Sequence, residues 1–223
     1  ALAHQIPRII FTSSTSVYGE AEGICKETTP ANPVTESGRV LRELEQWLHN
    51  LPGTSVDILR LAGLVGPGRH PGRFFAGKTG PNGGHGVNLV HLEDVIGAIT
   101  LLLQSPKGGH IYNLCAPQHP TRAEFYPVMA RQLGLEPPRF SESPAGTKGK
   151  LIDGNRICHE LGFEYLYPDP LVMPMEYAPD GQPARRGRRP QRHRRSVLKA
   201  ARRAARPIPG ATVPRRRTGA PEY

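Results

Sequence analysis

The chain has 223 residues and a formal net charge of +10, yet fourteen of its 29 basic residues lie between Pro179 and Tyr223 against only Asp180 and Glu222. The first 178 residues are therefore close to neutral, and composition gives no support to a nucleic-acid-binding body. The length suits one domain of about 100 to 200 residues with an appendage, and no apolar run reaches the roughly 18 residues that span a bilayer.

"PRIIFTSS" (7–14) is a short apolar run of β-branched and aromatic residues, the pattern of a strand buried on both faces of a parallel sheet. It opens into "FTSSTSVYG", where hydroxyls crowd the end of the strand. "TESGRVLRELEQWLHNLPG" places Val40, Leu41, Leu44, Trp47, Leu48 and Leu51 at helical spacing and stops at Pro52 and Gly53. "SVDILRLAGLVGPG" returns to strand character until Gly66, Pro67 and Gly68 break it. Strand, helix, strand in that order predicts a right-handed parallel crossover.

Beyond a glycine-rich loop, "TGPNGGHG", the text "VNLVHLEDVIGAITLLLQS" predicts a short strand feeding a helix with Val95, Ile96, Ile99, Leu102 and Leu103 on its apolar side. "HIYNLC" is another strand. "PTRAEFYPVMARQLG" carries a capping box, Thr121 with Glu124, and a stop at Gly134, with Pro127 straining its first turns. A short helix, "GNRICHELG", follows Asp153 and ends at Gly162.

Past about Pro174 the vocabulary becomes Arg, Ala, Pro and Gly, with few residues able to build a core, which predicts a disordered tail over 176–223. Three readings of it stay open: a nucleic-acid-binding arm, a solvated tail without a partner, or the product of reading GC-rich DNA in the wrong frame. Cys25, Cys115 and Cys158 are odd in number, far apart and without C-x-x-C spacing, so neither a disulfide framework nor a metal site is expected. "ALAHQIPRII" lacks a signal-peptide layout, and the expectation drawn from it is a cytoplasmic protein.

The ordered series "SSTSVYG", "ILRLAGLVGPGR" and "VNLVHLEDV" resembles the extended and atypical short-chain dehydrogenases/reductases, in their NAD-dependent epimerase/dehydratase branch, over about residues 7 to 172. The resemblance implies the C-terminal part of a Rossmann-like, doubly wound parallel α/β sheet over residues 1–175, with a small α/β substrate-side region. It also implies that the hydroxyl block closes the family's fifth strand beside the nicotinamide, where open α/β sheets bind their ligands. Ser14, four residues before Tyr18, then holds the position of the family's catalytic Ser or Thr, and Tyr18 is structural. Thr12, Ser13 and Ser14 would line the cofactor, with Ala62 and Gly63 leaving room for its ring. Arg69, Arg73 and Lys78 would face substrate, their fork-shaped or point charges suiting a carboxylate or phosphate; an exposed polar loop explains them equally. His91 and Asp94 match the family's strand-to-helix junction, where a packed histidine and a helix-start carboxylate need no catalysis.

Two departures stand out. The family's acid/base pair is a Tyr followed four residues later by a Lys, and here Ser37 and Leu41 occupy those positions, so ordinary Tyr-driven hydride transfer is not expected. The glycine-rich turn that cradles a dinucleotide pyrophosphate is absent, and the chain enters a strand almost at once, as if cut from something longer. The complete relative would bind NAD or NADP, act on a small, perhaps sugar-nucleotide-like substrate and form a homodimer; this chain would bind cofactor weakly and be inactive. A non-catalytic NAD(P)-binding sensor and a nucleic-acid binder acting through the tail are the alternatives.

Overall fold

A computed structural model describes residues 6–176. The expectations for the basic tail, apart from Glu176, lie outside the described residues.

The first strand, β1 (Arg8–Ser14), leads through a one-turn 3-10 helix (Thr15–Tyr18) and a three-residue strand, β2 (Gly23–Cys25), into helix α1 (Glu36–His49). Thr35 caps α1 by accepting the Gly38 amide at 3.1 Å, and the helix ends at Asn50 ahead of the Pro52-Gly53 break. The chain returns as β3 (Ser55–Leu61), parallel to β1 in the register Arg8↔Ser55 to Ser14↔Leu61. The strand-helix-strand unit is present, with its two strands parallel.

The run expected as one strand after α1 is two. At Ala62 the chain leaves the first sheet, its amide still donating to Leu114, and β4 (Gly63–Val65) pairs instead with β6 (Leu89–His91). Gly63 makes the crossing possible: a Cβ there would sit 2.8 Å from Leu89 Cδ2 and 3.1 Å from the Asn88 carbonyl. Between them lies β5 (Thr79–Gly80), and α2 (Leu92–Gln104) then leads to β7 (Ile111–Leu114), which joins β3 to complete a parallel sheet in the order β1-β3-β7. The capping box at Thr121 opens α3 (Arg122–Gln132), which runs through Pro127. Two short strands, β8 (Arg139–Phe140) and β9 (Lys150–Ile152), pair with β5 and β2, and α4 (Arg156–Leu161) ends at Gly162 in the left-handed conformation.

The period-2 alternation of the sheet divides its two faces. Ile9, Phe11, Val56, Ile58 and Ile111 face α1, where Leu48 closes a small cluster, while Ile10, Leu59, Tyr112 and Leu114 meet α2 and α4 in the larger one. α1 is thinner on its apolar side than the helical spacing suggests: Gly38, Glu45 and Leu48 are its buried residues, and Val40, Leu44 and Trp47 are exposed. On α2, Val95, Ala98 and Leu102 are buried but Ile96 and Leu103 face outward. Among the described residues no helix is long and apolar enough to cross a membrane.

Candidate functional site

The hydroxyls that end β1 part company because adjacent residues point to opposite faces. Ser13 continues the Ile9–Phe11 side, is buried, and donates its hydroxyl to Glu45 Oε1 of α1 at 2.7 Å. Thr12 and Ser14 share the opposite side with Ile10. Ser14 is the N-cap of the 3-10 turn, its Oγ accepting the Ser16 amide at 3.1 Å, and among the described residues nothing accepts its hydroxyl proton. It is a half-buried donor fixed through its lone pair at the carboxyl end of a parallel strand. Thr12 is exposed.

Behind this turn lies a buried polar network that sequence reasoning missed. Arg60 of β3 is 3% exposed and clasps Glu45, 1% exposed, through Nε to Oε1 at 3.1 Å and Nη2 to Oε2 at 2.7 Å. Its Nη1 donates to the Tyr18 hydroxyl at 3.0 Å, and that hydroxyl donates to Asn113 Oδ1 at 2.6 Å. The Asn113 amide group reaches the Asp153 carbonyl at 3.1 Å. Burial works against the Arg60 charge, but the bonds to Glu45 and Tyr18 more than reverse it, so its pKa lies above the ordinary arginine value. Burial also raises the Tyr18 pKa, and its hydroxyl is engaged on both sides by Arg60 and Asn113. The signals were present in the sequence: an Arg inside an apolar strand, and a Glu spaced with Leu41 and Leu48 on one side of a helix.

The glycine-rich segment 79–86 is not a phosphate cradle. Gly83 and Gly86 donate their amides to the Ser141 and Lys148 carbonyls, Gly84 to Ser143 Oγ at 2.8 Å, and Asn82 to Ser141 Oγ. A Cβ on Gly80 or Gly83 would lie within 2.8 Å of Phe140, so close packing accounts for these glycines.

The description "NAD dependent epimerase/dehydratase family" matches residues 1–115, just over half of the chain. The chain belongs to that family. It is 82% identical over 176 residues to "Protein YeeZ" of Escherichia coli (strain K12), a match covering 79% of this chain and 64% of that protein. The chain thus spans less than two thirds of the length of the curated relatives it matches. A conserved protein of unknown function from Silicibacter pomeroyi DSS is similar in structure, with a TM-score of 0.65 and 28% identity over 76% of this chain and 65% of that one. MoeE5 in complex with UDP-glucuronic acid and NAD has a TM-score of 0.58 and 23% identity, covering 71% of this chain and 59% of its own, a likeness of fold.

Against the family's nicotinamide cofactor, the described residues fit at one end. Ser14 and Thr12 offer hydroxyls on one face of β1, whereas Ala62, expected beside the ring, is buried in the larger core cluster, and Leu89 and the Asn88 carbonyl already account for Gly63. No pyrophosphate cradle lies among the described residues, since the amides of the glycine-rich loop are engaged. Ser37 is exposed in the first turn of α1, 3.3 Å from Thr35 Oγ1, and Leu41 packs against the core, so neither stands in for a phenol or an amine.

Arg69, Arg73 and Lys78 are exposed. Arg69 donates through Nε to the Leu64 carbonyl at 2.8 Å and lies over the Phe74 ring, which leaves Arg73 and Lys78 the more available cations of the three. His91 caps α2 through Nδ1, which accepts the Glu93 amide, while Nε2–H donates to the Pro174 carbonyl at 2.7 Å. Asp94 is buried and accepts the amides of Leu166 and Tyr167 at 2.6 and 3.2 Å, tying down a remote segment where a cap of its own helix was expected. Burial raises its pKa from 3.8 to about 6. Among the described residues no cluster of three potential metal ligands occurs.

Proposed function

We propose that this chain supplies the nicotinamide- and substrate-facing side of an NAD(P)-dependent epimerase/dehydratase-like or oxidoreductase site, with Ser14 as the group that hydrogen-bonds the reacting hydroxyl or carbonyl. The observation that carries the reading is the Ser14 hydroxyl, fixed by the Ser16 amide with its proton uncommitted at the carboxyl edge of the β1-β3-β7 sheet. The cofactor supplies the hydride chemistry when bound. Thr12, Ser14 and Gly63 would lie against its ring, the Ser13 side chain being engaged with Glu45 and Ala62 buried in the core. Arg73 and Lys78 would attract a small anionic or sugar-nucleotide-like substrate, their charges acting before contact.

Titration of the 223-residue chain with NADH, followed by nicotinamide fluorescence, tests this. Weak saturable binding, with a dissociation constant of about a millimolar, is expected because the glycine-rich loop of the described residues offers the pyrophosphate no free amides. Ser14→Ala should weaken it further, and NADPH is compared in parallel. No saturable signal at any accessible concentration, or a variant that binds as well as the parent, refutes the reading.

A non-catalytic NAD(P)-binding sensor is the second reading, favoured by exposed Ser37 and core-packed Leu41 in place of an acid/base pair. Turnover of a sugar nucleotide would exclude it. The exposed side chains of Val40, Leu44 and Trp47 support a homodimer through α1, for which sedimentation of Trp47→Lys against the parent is the check.

A further inference from the structure

The one-turn helix that places Ser14 has a second end, and a residue from far along the chain is fastened to it. Lys150 Nζ lies 2.8 Å from the Gly19 carbonyl and 3.5 Å from that of Thr15. Gly19 itself closes the turn, with φ of 67° and its amide donating to Ser16 at 3.1 Å. Ser14 caps one end of the turn and Lys150 binds the carbonyls at the other.

The base of Lys150 is held independently of the turn. Its carbonyl accepts from Asn88 Nδ2 at 2.7 Å, the Ile152 amide returns to Asn88 Oδ1 at 2.8 Å, and β9 is paired with β2. Glu22 accepts the Lys148 and Gly149 amides at 2.7 and 3.1 Å, so the loop ahead of β9 is fixed as well. Among the described residues no carboxylate lies within ion-pair distance of the Lys150 amine. A half-buried amine with no direct ion-pair partner, Glu20 acting on it only from beyond contact distance, is costly, and burial lowers its pKa, so packing alone would be served better by Met or Leu. What the amine adds is donors to two carbonyls of the turn.

We propose that Lys150 is a positioning residue for Ser14, anchoring the turn whose leading hydroxyl faces the site. This rests on the reading of Ser14 given above. The family match at residues 1–115 does not reach Lys150, so the contact joins the strand-end hydroxyls to a part of the chain outside that match.

Amide hydrogen exchange on the full 223-residue chain, without cofactor, tests the proposal. Lys150→Met should make the Ser16 and Gly19 amides exchange about tenfold faster or more, as loss of a charge-assisted hydrogen bond implies. The β3 amides of Ile58–Leu61 and those of β2 should change little, and Lys150→Arg, which keeps the donors, should restore slow exchange in the turn. If Lys150→Met does not fold, Lys150→Gln replaces it, with a neutral amide on a stem too short to reach both carbonyls. Unchanged exchange at Ser16 and Gly19, an equal rise across β2 and β9, or no rescue by arginine overturns the proposal. Because no cofactor is present, the outcome is separate from the NADH titration: a turn that answers to Lys150 beside NADH binding indifferent to Ser14→Ala keeps the anchor and sinks the functional reading.

Discussion

Glu45→Gln isolates the buried network, because it preserves shape while removing the charge that Arg60 faces. The glutamine has one acceptor oxygen where the carboxylate has two, and in either orientation its amide group points a donor at Arg60. At most one of the two bonds from Arg60, at 3.1 and 2.7 Å, survives in good geometry. A guanidinium that is 97% buried is then left short of its counter-charge, which costs about 3 to 5 kcal/mol, or roughly 10 °C in Tm for a chain of this size. Urea unfolding followed by circular dichroism reads the loss. In the double variant Glu45→Leu/Arg60→Met both charges are gone, and most of the stability should return. A single-variant cost below about 1 kcal/mol, or a double variant worse than either single one, refutes the argument.

Arg8→Met should destabilise the chain by about 2 to 4 kcal/mol in the same assay, since Asp57, fully buried, loses contacts of 2.9 and 2.7 Å and keeps only His110 and its amide. Asp94 gives a pH dependence of definite sign. Its folded pKa of about 6 exceeds its ordinary 3.8, so the folded state binds the proton more tightly and stability rises as pH falls from 7 through 6 towards 4. Relative to Asp94→Asn the gain should approach about 3 kcal/mol, the shift already including the two amide bonds; equal pH profiles for the two proteins would show that Asp94 is not desolvated. Burial pushes the Cys115 thiol up to about 12 and raises Cys25 and Cys158 as well, so Ellman's reagent at pH 8 should label the native protein slowly and reach three thiols only in denaturant. Fast labelling of all three in buffer would contradict the burial described for Cys25 and Cys115.

The elements that sequence made legible are those with a long period or a specific stop. α1 ends where Pro52-Gly53 demands, α3 starts at its capping box, and α4 stops at Gly162. The missing strands, β2, β5, β8 and β9, have two or three residues each and no period to detect. At the site, the position of Ser14 followed from resemblance, but which hydroxyls share its face required the register of β1. Ser13 and Ser14 are indistinguishable as letters, yet one is committed to Glu45 and the other is free to donate. Glu45 itself was hidden by the usual rule that places a helical glutamate in water. Likewise, Gly63 owes its small size to Leu89 and Asn88, a reason that no local pattern shows.

Every strand ladder among the described residues is parallel, which has a consequence for how the chain acquires its shape. Parallel partners cannot be joined by a tight hairpin, so no ladder can nucleate from neighbours in sequence. The register Gly23↔Lys150 is the extreme case. At about 5 to 20 residues per second on a ribosome, β2 waits roughly 6 to 25 seconds for β9 to be made. Throughout that interval the hydroxyl turn exists without the lysine that anchors it. The site should therefore be among the last parts of the molecule to set.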